Sequence, residues 1–332
     1  MMKKCALNFL TLMLMMNFVG KPAYAETLAT DHIFAANSFW YKTIPVDVKL
    51  HENSAAFVAE FLRQKSAYYG TVGINTTAYA SPVYYVARDT PTVTVAYWNC
   101  QNKHSEDMSL IEQWSAVPIP VYALAAKGAD AEMTIYQPST DTLWEFWKAR
   151  KIEGKWQACW GGRMLNASKN DGVFDTYYGT TATSLPFIGG QITAEELQRG
   201  EIKHVIGISM VDLESRTIYS WPAHRSDGHN PKGLPNRIPE GMRFRLDPSV
   251  NVDALKMHPV GKTIAKAAQK YGFVVWDKAG AVMLRAQNPL SYTLLGQPNH
   301  YEALFAGTKQ YAILNNFPWD RLQFLPLNYG KP

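Results

Sequence analysis

The stretch TLWEFWKARKIEGKWQACWGGR, residues 142–163, decides the fold class because it has the composition of a β-hairpin. Aromatic residues dominate both of its arms, and Glu153-Gly154-Lys155 between them is typical of a tight return turn. Gly161-Gly162 should break the returning strand. Short strands of this kind, separated by Gly, Pro, Asn and Asp, recur along the chain. The sequence therefore predicts a mainly β protein, a jelly-roll-like β-sandwich with a few short helices.

Four tryptophans lie in this hairpin: Trp144, Trp147, Trp156 and Trp160. Aromatic rings offer flat apolar faces to pyranose rings, and a neighbouring carboxylate such as Glu145 can bind hydroxyls or move protons. We predict a glycan-binding groove in which Trp147 stacks on a sugar and Glu145 is catalytic. Alternatively, this sheet face is interior and Glu145 pairs with Arg150 or Arg163.

The first twenty-five residues have the pattern of a signal peptide, residues 1–25. Lys3 and Lys4 precede a short apolar run, and Ala23-Tyr24-Ala25 offers a cleavage site. Residues 26–332 then form a single large β-rich domain, or one with a subdivision near residue 130. No later stretch reaches the roughly 20 apolar residues of a membrane helix. We expect a secreted or periplasmic protein without a membrane span.

The remaining cysteines, Cys100 and Cys159, are predicted to form a disulfide in an oxidising compartment. The alternative is a pair of unpaired buried thiols. Removal of the predicted signal peptide takes away Lys3, Lys4 and Lys21, and the formal net charge falls from +5 to +2. The remaining chain has no basic stripe, which argues against nucleic-acid binding. The chain also lacks nucleotide-binding, serine-hydrolase and zinc-protease motifs, so no cofactor is predicted.

Periodicity predicts further elements along the chain. Helices are expected over 53–64, 193–200 and 259–271, and strands over 82–87, 92–98, 133–137 and 202–210. Residues 110–121 should form an edge segment, and 273–277 should form a hairpin with 281–285. His204 interrupts the apolar row of the strand at 202–210. Burial there would lower the pKa of His204, which suits a general base. Alternatively, His204 is a neutral core histidine hydrogen-bonded to a backbone carbonyl.

Two further segments carry candidate site residues. The loop 220–230 contains three candidate site residues. We assign Trp221 and His224 to substrate binding and Asp227 to catalysis. Its histidines and aspartate fit a metal site poorly, so none is predicted. Tyr178 is a candidate catalytic acid. Arg245 is a candidate for binding uronic carboxylates, unless it pairs with Asp247 or Glu240 on a solvated face.

Several segments together resemble one bacterial family. They are GGQIT (189–193) with GEIKH (200–204), WPA (221–223) with DG (227–228), PEGMRFRL (239–246) and AQKYG (268–272). The string is similar to that of a family of exported bacterial proteins of uncharacterised function, over residues 130–325 most strongly. The resemblance implies export, and it brings no activity and no catalytic residues.

Two functions follow from these patterns. The first is an exported polysaccharide hydrolase or lyase acting on a polysaccharide or cell-envelope glycan. Glu145 or Asp227 would serve hydrolysis, and His204 with Tyr178 and Arg245 would serve elimination. The second is a carbohydrate-binding or envelope-associated protein without turnover. Convergence of His204, Asp227, Glu145 and Arg245 in one cleft would favour the enzyme.

Overall fold

The computed structural model describes residues 32–332. Contacts divide the chain into residues 1–30 and 31–332, and every described residue belongs to the second unit. The predicted signal peptide lies outside the described residues, so export stays a prediction. The single domain with its optional subdivision near residue 130 also stays a prediction.

The described part of the chain contains thirteen strands and seven short α-helices. The strands are β1 (Gly73–Asn75), β2 (Val83–Tyr85), β3 (Ala96–Tyr97), β4 (Met133–Gln137), β5 (Thr142–Trp147), β6 (Arg150–Ile152), β7 (Lys155–Ala158), β8 (Trp160–Leu165), β9 (Ile206–Met210), β10 (Arg243–Leu246), β11 (Phe273–Lys278), β12 (Met283–Arg285) and β13 (Leu322–Phe324). The helices are α1 (Ser54–Ala67), α2 (Met108–Gln113), α3 (Phe187–Gly190), α4 (Ala194–Arg199), α5 (Pro259–Lys270), α6 (Leu290–Thr293) and α7 (His300–Phe305).

The strands form three open sheets, each of which mixes parallel and antiparallel pairs. The orders are β1-β12-β9-β11-β10-β13, β2-β4-β5-β8 and β3-β7-β6. The predicted β-rich class with few short helices is confirmed. The β-sandwich is not confirmed, because a jelly roll is built from antiparallel strands. Here β1 runs parallel to β12, β9 to β11, β2 to β4 and β3 to β7.

The tryptophan-rich stretch forms two hairpins instead of the single hairpin predicted. Its outer arms, β5 and β8, pair in the four-stranded sheet, whereas β6 and β7 form a smaller hairpin in another sheet. The turn at Glu153 and Gly154 lies where predicted, and both residues have positive φ, as a tight hairpin turn needs. Gly161 continues β8 instead of breaking it. A Cβ there would lie 2.0 Å from the carbonyl oxygen of Glu145, so only glycine allows the two strands to approach.

Two other predictions of local structure are wrong. The expected edge segment at 110–121 begins with α2, whose first turn is capped by the Asp107 carboxylate accepting from the Leu110 N–H at 2.9 Å. The strands β11 and β12 do not form a hairpin, because β9 lies between them and pairs with both. Long-range pairing outweighed the short turn that suggested the hairpin.

The three longest predicted helices are present and begin near the expected residues. Thr193 and Glu196 form both arms of the predicted capping box of α4, and Gly200 ends that helix with φ +73°. One apolar core packs α1 and α5 against the six-stranded sheet. Another joins the six-stranded and four-stranded sheets through residues such as Trp276 and Leu143. This shared core brings the end of β11 beside the ends of β5 and β8.

Candidate functional site

A cleft of about 260 Å³ lies where β5 ends and β8 begins; we call it the central cleft. Trp147 and Trp160, which face each other across the two strands, both line it. Its other walls come from the segment before β4, the loops at 101–103, 180–182 and 225–227, and the end of β11. The ionisable residues that line it are Lys103, Asp130, Glu132, Arg225, Asp227, Asp277 and Lys278.

Two shallower depressions adjoin the central cleft. The side depression, about 380 Å³, shares Lys103, Trp160 and Arg225 with it and extends to Tyr177. The loop depression, about 530 Å³, shares Asp227 and extends to His229. Because each depression shares lining residues with the central cleft, we call the three together the groove.

Arg285 organises two carboxylates of the central cleft from behind. Its Nη1 lies 3.0 Å from Glu132 Oε1, and its Nη2 lies 3.0 Å from Asp277 Oδ2. Arg285 and Glu132 are almost fully buried, while Asp277 keeps 16% of its side chain exposed. Three charges in a poorly hydrated wall are stable only when each is paired and hydrogen-bonded, and the planar guanidinium satisfies both carboxylates at once. Glu132 Oε2 is buried without a hydrogen-bond partner in the described structure.

Burial raises the pKa of Asp277 to about 7, with the charges of Asp227 and Asp130 adding to the shift and Arg285 opposing it. Burial also raises the pKa of Glu132, again against Arg285. Asp277 is thus close to half-protonated near neutral pH. A carboxyl group with a pKa near the working pH is suited to donate a proton to a leaving group.

Asp227 and Glu240 form a second carboxyl pair at the cleft. The Asp227 N–H donates to Glu240 Oε2 at 3.0 Å, and Glu240 is completely buried. Burial and then the charge of Asp227 raise the pKa of Glu240 well above its usual value. Burial also raises the pKa of Asp227, although the charge of Lys278 and a hydrogen bond from Glu240 oppose the shift. The two carboxyl groups titrate together, and the larger shift of Glu240 makes Asp227 the more acidic member of the pair.

Glu145 lies behind the wall of the cleft. It is fully buried and accepts a hydrogen bond from the Thr180 hydroxyl at 2.8 Å, and Thr180 lines the cleft. The Ile188 N–H donates to its other oxygen at 3.2 Å. Burial raises the pKa of Glu145 to about 7 despite these bonds. The face is interior, as the alternative held, but the partner is Thr180 and neither Arg150 nor Arg163.

Tyr178 packs behind Trp160 in a stacked arrangement with ring centroids 6.0 Å apart. Its hydroxyl donates to Asp107 Oδ1 at 3.2 Å, and burial raises its pKa to about 12. Tyr178 does not line the central cleft, so its contacts support the position of Trp160.

His204 lies outside the cleft, and its predicted titration is wrong. Its Nε2 is 3.1 Å from Glu196 Oε1, the carboxylate that caps α4, and its Nδ1 is 2.8 Å from the Val205 carbonyl oxygen. Burial lowers the pKa of His204 as expected, but the charge of Glu196 and the hydrogen bonds outweigh it and raise the pKa. The contacts of His204 join α4 to β9.

Arg245 is buried, and it neither faces a groove nor pairs with Asp247 or Glu240. Its guanidinium donates to the carbonyl oxygens of Pro45 and Val46, at 2.7 and 2.8 Å, and to Gln323 Oε1 at 2.8 Å. These bonds hold the segment before α1 against β10. Arg245 is 2% exposed and its guanidinium is directed at protein oxygens, so it is not accessible to a uronic carboxylate.

The two substrate-binding candidates of the loop 220–230 also lie outside the central cleft. Trp221 packs edge-on against Phe39, with ring centroids 5.5 Å apart, and its backbone N–H donates to Asn328 Oδ1 at 2.8 Å. The backbone N–H of His224 donates to the Thr183 carbonyl oxygen at 3.1 Å, and the ring Nδ1 lies 3.1 Å from the Phe174 carbonyl oxygen. Arg225, the residue after His224, does reach the cleft.

The predicted disulfide between Cys100 and Cys159 is present. Cys159 immediately precedes Trp160, and Cys100 lies three residues before Lys103. The Nζ of Lys103 lies 3.5 Å from the centre of the Trp160 ring, in a cation–π contact. The disulfide therefore ties a lysine-bearing loop to the tryptophan that it covers.

Of the predicted site residues, Asp227 and Trp147 line the cleft together. Sequence reasoning missed Asp277, Glu132, Arg225 and Lys103 as site residues. One signal for Asp277 was available, because it is the charged residue that ends the apolar run FVVW at 273–276. Arg285 likewise ends the run AVML at 281–284. A charge at the end of a buried strand often marks a site at the edge of a sheet.

Among residues 32–332, no group of three His, Cys, Asp or Glu side chains is arranged to hold a metal ion. Within the same residues, no helix has the length and apolarity needed to cross a membrane. No family model, curated protein or solved structure shows a significant match to this chain.

Proposed function

We propose that this protein binds a glycan in the groove and hydrolyses a glycosidic bond at the central cleft. The observation that carries the proposal is the combination, in one cleft, of two tryptophans with two carboxyl groups whose pKa values are raised by burial. Trp147 offers apolar surface to a sugar ring, with the 6%-exposed Trp160 beside it, and Asp277 and Asp227 line the same space.

The two carboxylates suit different steps. Asp277, with a pKa of about 7, is assigned as the general acid that protonates the leaving oxygen. Asp227, the more acidic member of its pair with Glu240, is assigned as the base or nucleophile. Thr180 lines the same cleft, and its hydrogen bond to Glu145 fixes its position. We favour hydrolysis over elimination because His204 and Arg245, the residues expected to serve a lyase, lie outside the cleft.

The alternative is binding without turnover, and one contact favours it. Both oxygens of Asp277 are already engaged, Oδ2 with Arg285 and Oδ1 with the Ala182 N–H at 3.2 Å. A network that serves only to hold the two sheets together would have the same bonds. The predicted export, the family resemblance and the jelly-roll-like sandwich remain part of this wider hypothesis, and the cleft does not depend on them. The disulfide is compatible with a protein that works outside the cytoplasm.

The test is incubation of the purified protein with neutral and acidic polysaccharides, followed by assays for new reducing ends and for the ultraviolet absorbance of unsaturated uronic products. Asp277→Asn and Asp227→Asn should each reduce the release of reducing ends by about a hundredfold or more. The matched control is Asp320→Asn, which changes an exposed aspartate away from the cleft. Absorbance without dependence on Asp277 would contradict the hydrolase. If the protein retains glycans but releases no product, the result would support the alternative of binding without turnover.

A further inference from the structure

Arg225 brings a positive charge to the groove. Its Nε donates to Ser184 Oγ at 3.1 Å, and its Nη2 donates to the carbonyl oxygens of Gly179 and Thr181 at 3.1 and 2.7 Å. These acceptors are neutral, and no carboxylate of residues 32–332 forms an ion pair with Arg225. Nη1 has no hydrogen-bond partner among the same residues, and the side chain lines both the central cleft and the side depression.

Lys103 places a second such charge beside the first. Its backbone is fixed by Asn99, whose side chain accepts from the Lys103 N–H at 2.8 Å and donates to its carbonyl oxygen at 2.7 Å. Its Nζ lies over Trp160 and, in the described part of the chain, is not in an ion pair. Burial lowers the pKa of Lys103, and the positive charge of Arg225 lowers it further while Asp107 opposes the shift.

The contrast with Arg285 makes this arrangement informative. Arg285, in the same wall, is paired with two carboxylates, whereas Arg225 and Lys103 repel each other across the side depression. Burial lowers the pKa of Arg225 although the charges of Asp277, Glu240 and Asp227 oppose the shift. The nearby carboxylates therefore do not fully offset the desolvation of the two cations, and an anion bound between Arg225 and Lys103 would stabilise both. The hydrogen bonds of Arg225 to neutral carbonyl oxygens hold its guanidinium in place for such an anion.

We propose that Arg225 and Lys103 form a subsite for an anionic substituent of the glycan, such as a uronic carboxylate, next to the sugar that stacks on Trp147. This inference rests on the proposed glycan-binding function and specifies its substrate class. Glu106 and Asp107 also line the side depression, and Asp130, Asp227 and Asp277 line the central cleft, so a second negative charge on the glycan would be repelled. The preferred substrate therefore alternates acidic with neutral sugars and is not uniformly anionic.

The experiment measures Kd by calorimetry for three probes: hyaluronan oligosaccharides, the same oligosaccharides with their carboxyl groups reduced to alcohols, and chondroitin sulfate oligosaccharides of equal length. We expect carboxyl reduction to weaken binding about tenfold, since a charge-assisted hydrogen bond is lost. Lys103→Met should weaken binding of the acidic probe by a similar factor and leave the neutral probe unaffected. Lys103→Arg, which keeps the charge, should bind as the unchanged protein does. Preference for the sulfated probe would identify the anion as sulfate instead of carboxylate.

The outcomes separate the subsite from the proposed function. Equal affinity for the acidic and neutral probes, unchanged in Lys103→Met, would overturn the anion subsite while leaving glycan binding intact. Binding of none of the probes, together with no activity on the wider polysaccharide panel, would overturn the proposed function and the subsite with it. Lys103 is exposed, so its substitution tests the site without the loss of the buried bonds that Arg225 makes.

Discussion

Trp147 and Trp160 lie directly opposite each other at the end of the β5–β8 pair, and both rings line the central cleft. The Trp147 Nε1–H donates to Asp130 Oδ1 at 3.0 Å, and the Trp160 Nε1–H donates to the Tyr177 carbonyl oxygen at 3.4 Å. Directly opposed residues on neighbouring strands project to the same side of the sheet. The two rings therefore form one aromatic wall with fixed orientation.

Removing one ring should weaken glycan binding. We expect Trp147→Ala to raise Kd by about tenfold or more, because a partly buried aromatic anchor contributes disproportionately to binding. Calorimetry with the glycan that binds best checks this. Trp98→Ala is the matched control. Both rings carry a cation, Lys148 at 4.5 Å over Trp147 and Arg150 at 3.3 Å over Trp98, but Trp98 does not line the cleft. Equal effects of both substitutions would argue against the aromatic wall.

Glu145 should make the protein less stable as pH rises. Its pKa is about 7 in the folded protein against an ordinary 4.5, so the folded state holds a proton that the unfolded state releases between these values. The free energy of unfolding should therefore fall through this window, by ~3 kcal/mol from this group. Urea unfolding from pH 4 to 8 should show a shallower fall in Glu145→Gln. The exposed Glu195→Gln serves as control, and an identical slope in all three proteins would contradict the assignment.

The His204–Glu196 pair should stabilise the fold without serving catalysis. The pKa of His204 is raised, so its contribution is complete below the usual histidine value and is lost as pH rises through the folded value. The pKa of Glu196 is lowered, so its contribution is lost on acidification below about 4.5. His204→Gln should lower the melting temperature most between these limits and keep the activity measured below that temperature. Lost activity at unchanged stability would restore His204 as a catalytic residue.

Arg285 should be essential for the stability of the cleft wall. Arg285→Met leaves Glu132 and Asp277 buried without their shared counter-charge, which typically costs about 3–5 kcal/mol. Arg63→Met is the matched control, because Arg63 also bridges two carboxylates but is 43% exposed and should cost about 1 kcal/mol or less. Denaturant unfolding compares the two. Costs of equal size would show that the buried network is no more important than a surface one.

Reducing the disulfide should affect both stability and binding. Cys100 and Cys159 are 59 residues apart, and closing a loop of this length is worth about 4 kcal/mol in the chain-entropy model. The double variant Cys100→Ser, Cys159→Ser should unfold at lower denaturant concentration. It should also bind acidic glycans more weakly, because Lys103 loses its tether to the Trp160 strand. Unchanged binding below the unfolding transition would show that Lys103 is held by Asn99 alone.

Local patterns in the sequence were sufficient for several elements. The capping box at Thr193 and Glu196, the turn at Glu153 and Gly154 and the helix beginning at Pro259 all depend on neighbouring residues, and all are present. The β11–β12 hairpin was predicted from the same kind of evidence and is wrong. Its short turn allows a hairpin but does not require one, and β9, more than sixty residues earlier in the chain, takes the place between the strands.

Local sequence patterns likewise identified only part of the candidate site. The tryptophan-rich stretch and the loop with Asp227 were identified because aromatic and acidic residues cluster in the sequence. Glu132, Asp277 and Arg285 were missed because each is isolated from other candidate residues in the sequence, and Arg225 was not selected from the loop that contains Asp227. Their shared wall exists only after β4, β11 and β12 have been brought together.

By itself the sequence determined the β-rich class, the disulfide partners and the residue types that a glycan site would use. These depend on composition, on short-range spacing or on there being two cysteines to pair. Only the tertiary structure decided which side chains are exposed to solvent and which charged groups lie close together. Burial and pairing come from contacts between distant segments. The same contacts give Asp277 its raised pKa, join His204 to Glu196 and hold the Arg225 guanidinium against backbone carbonyl oxygens.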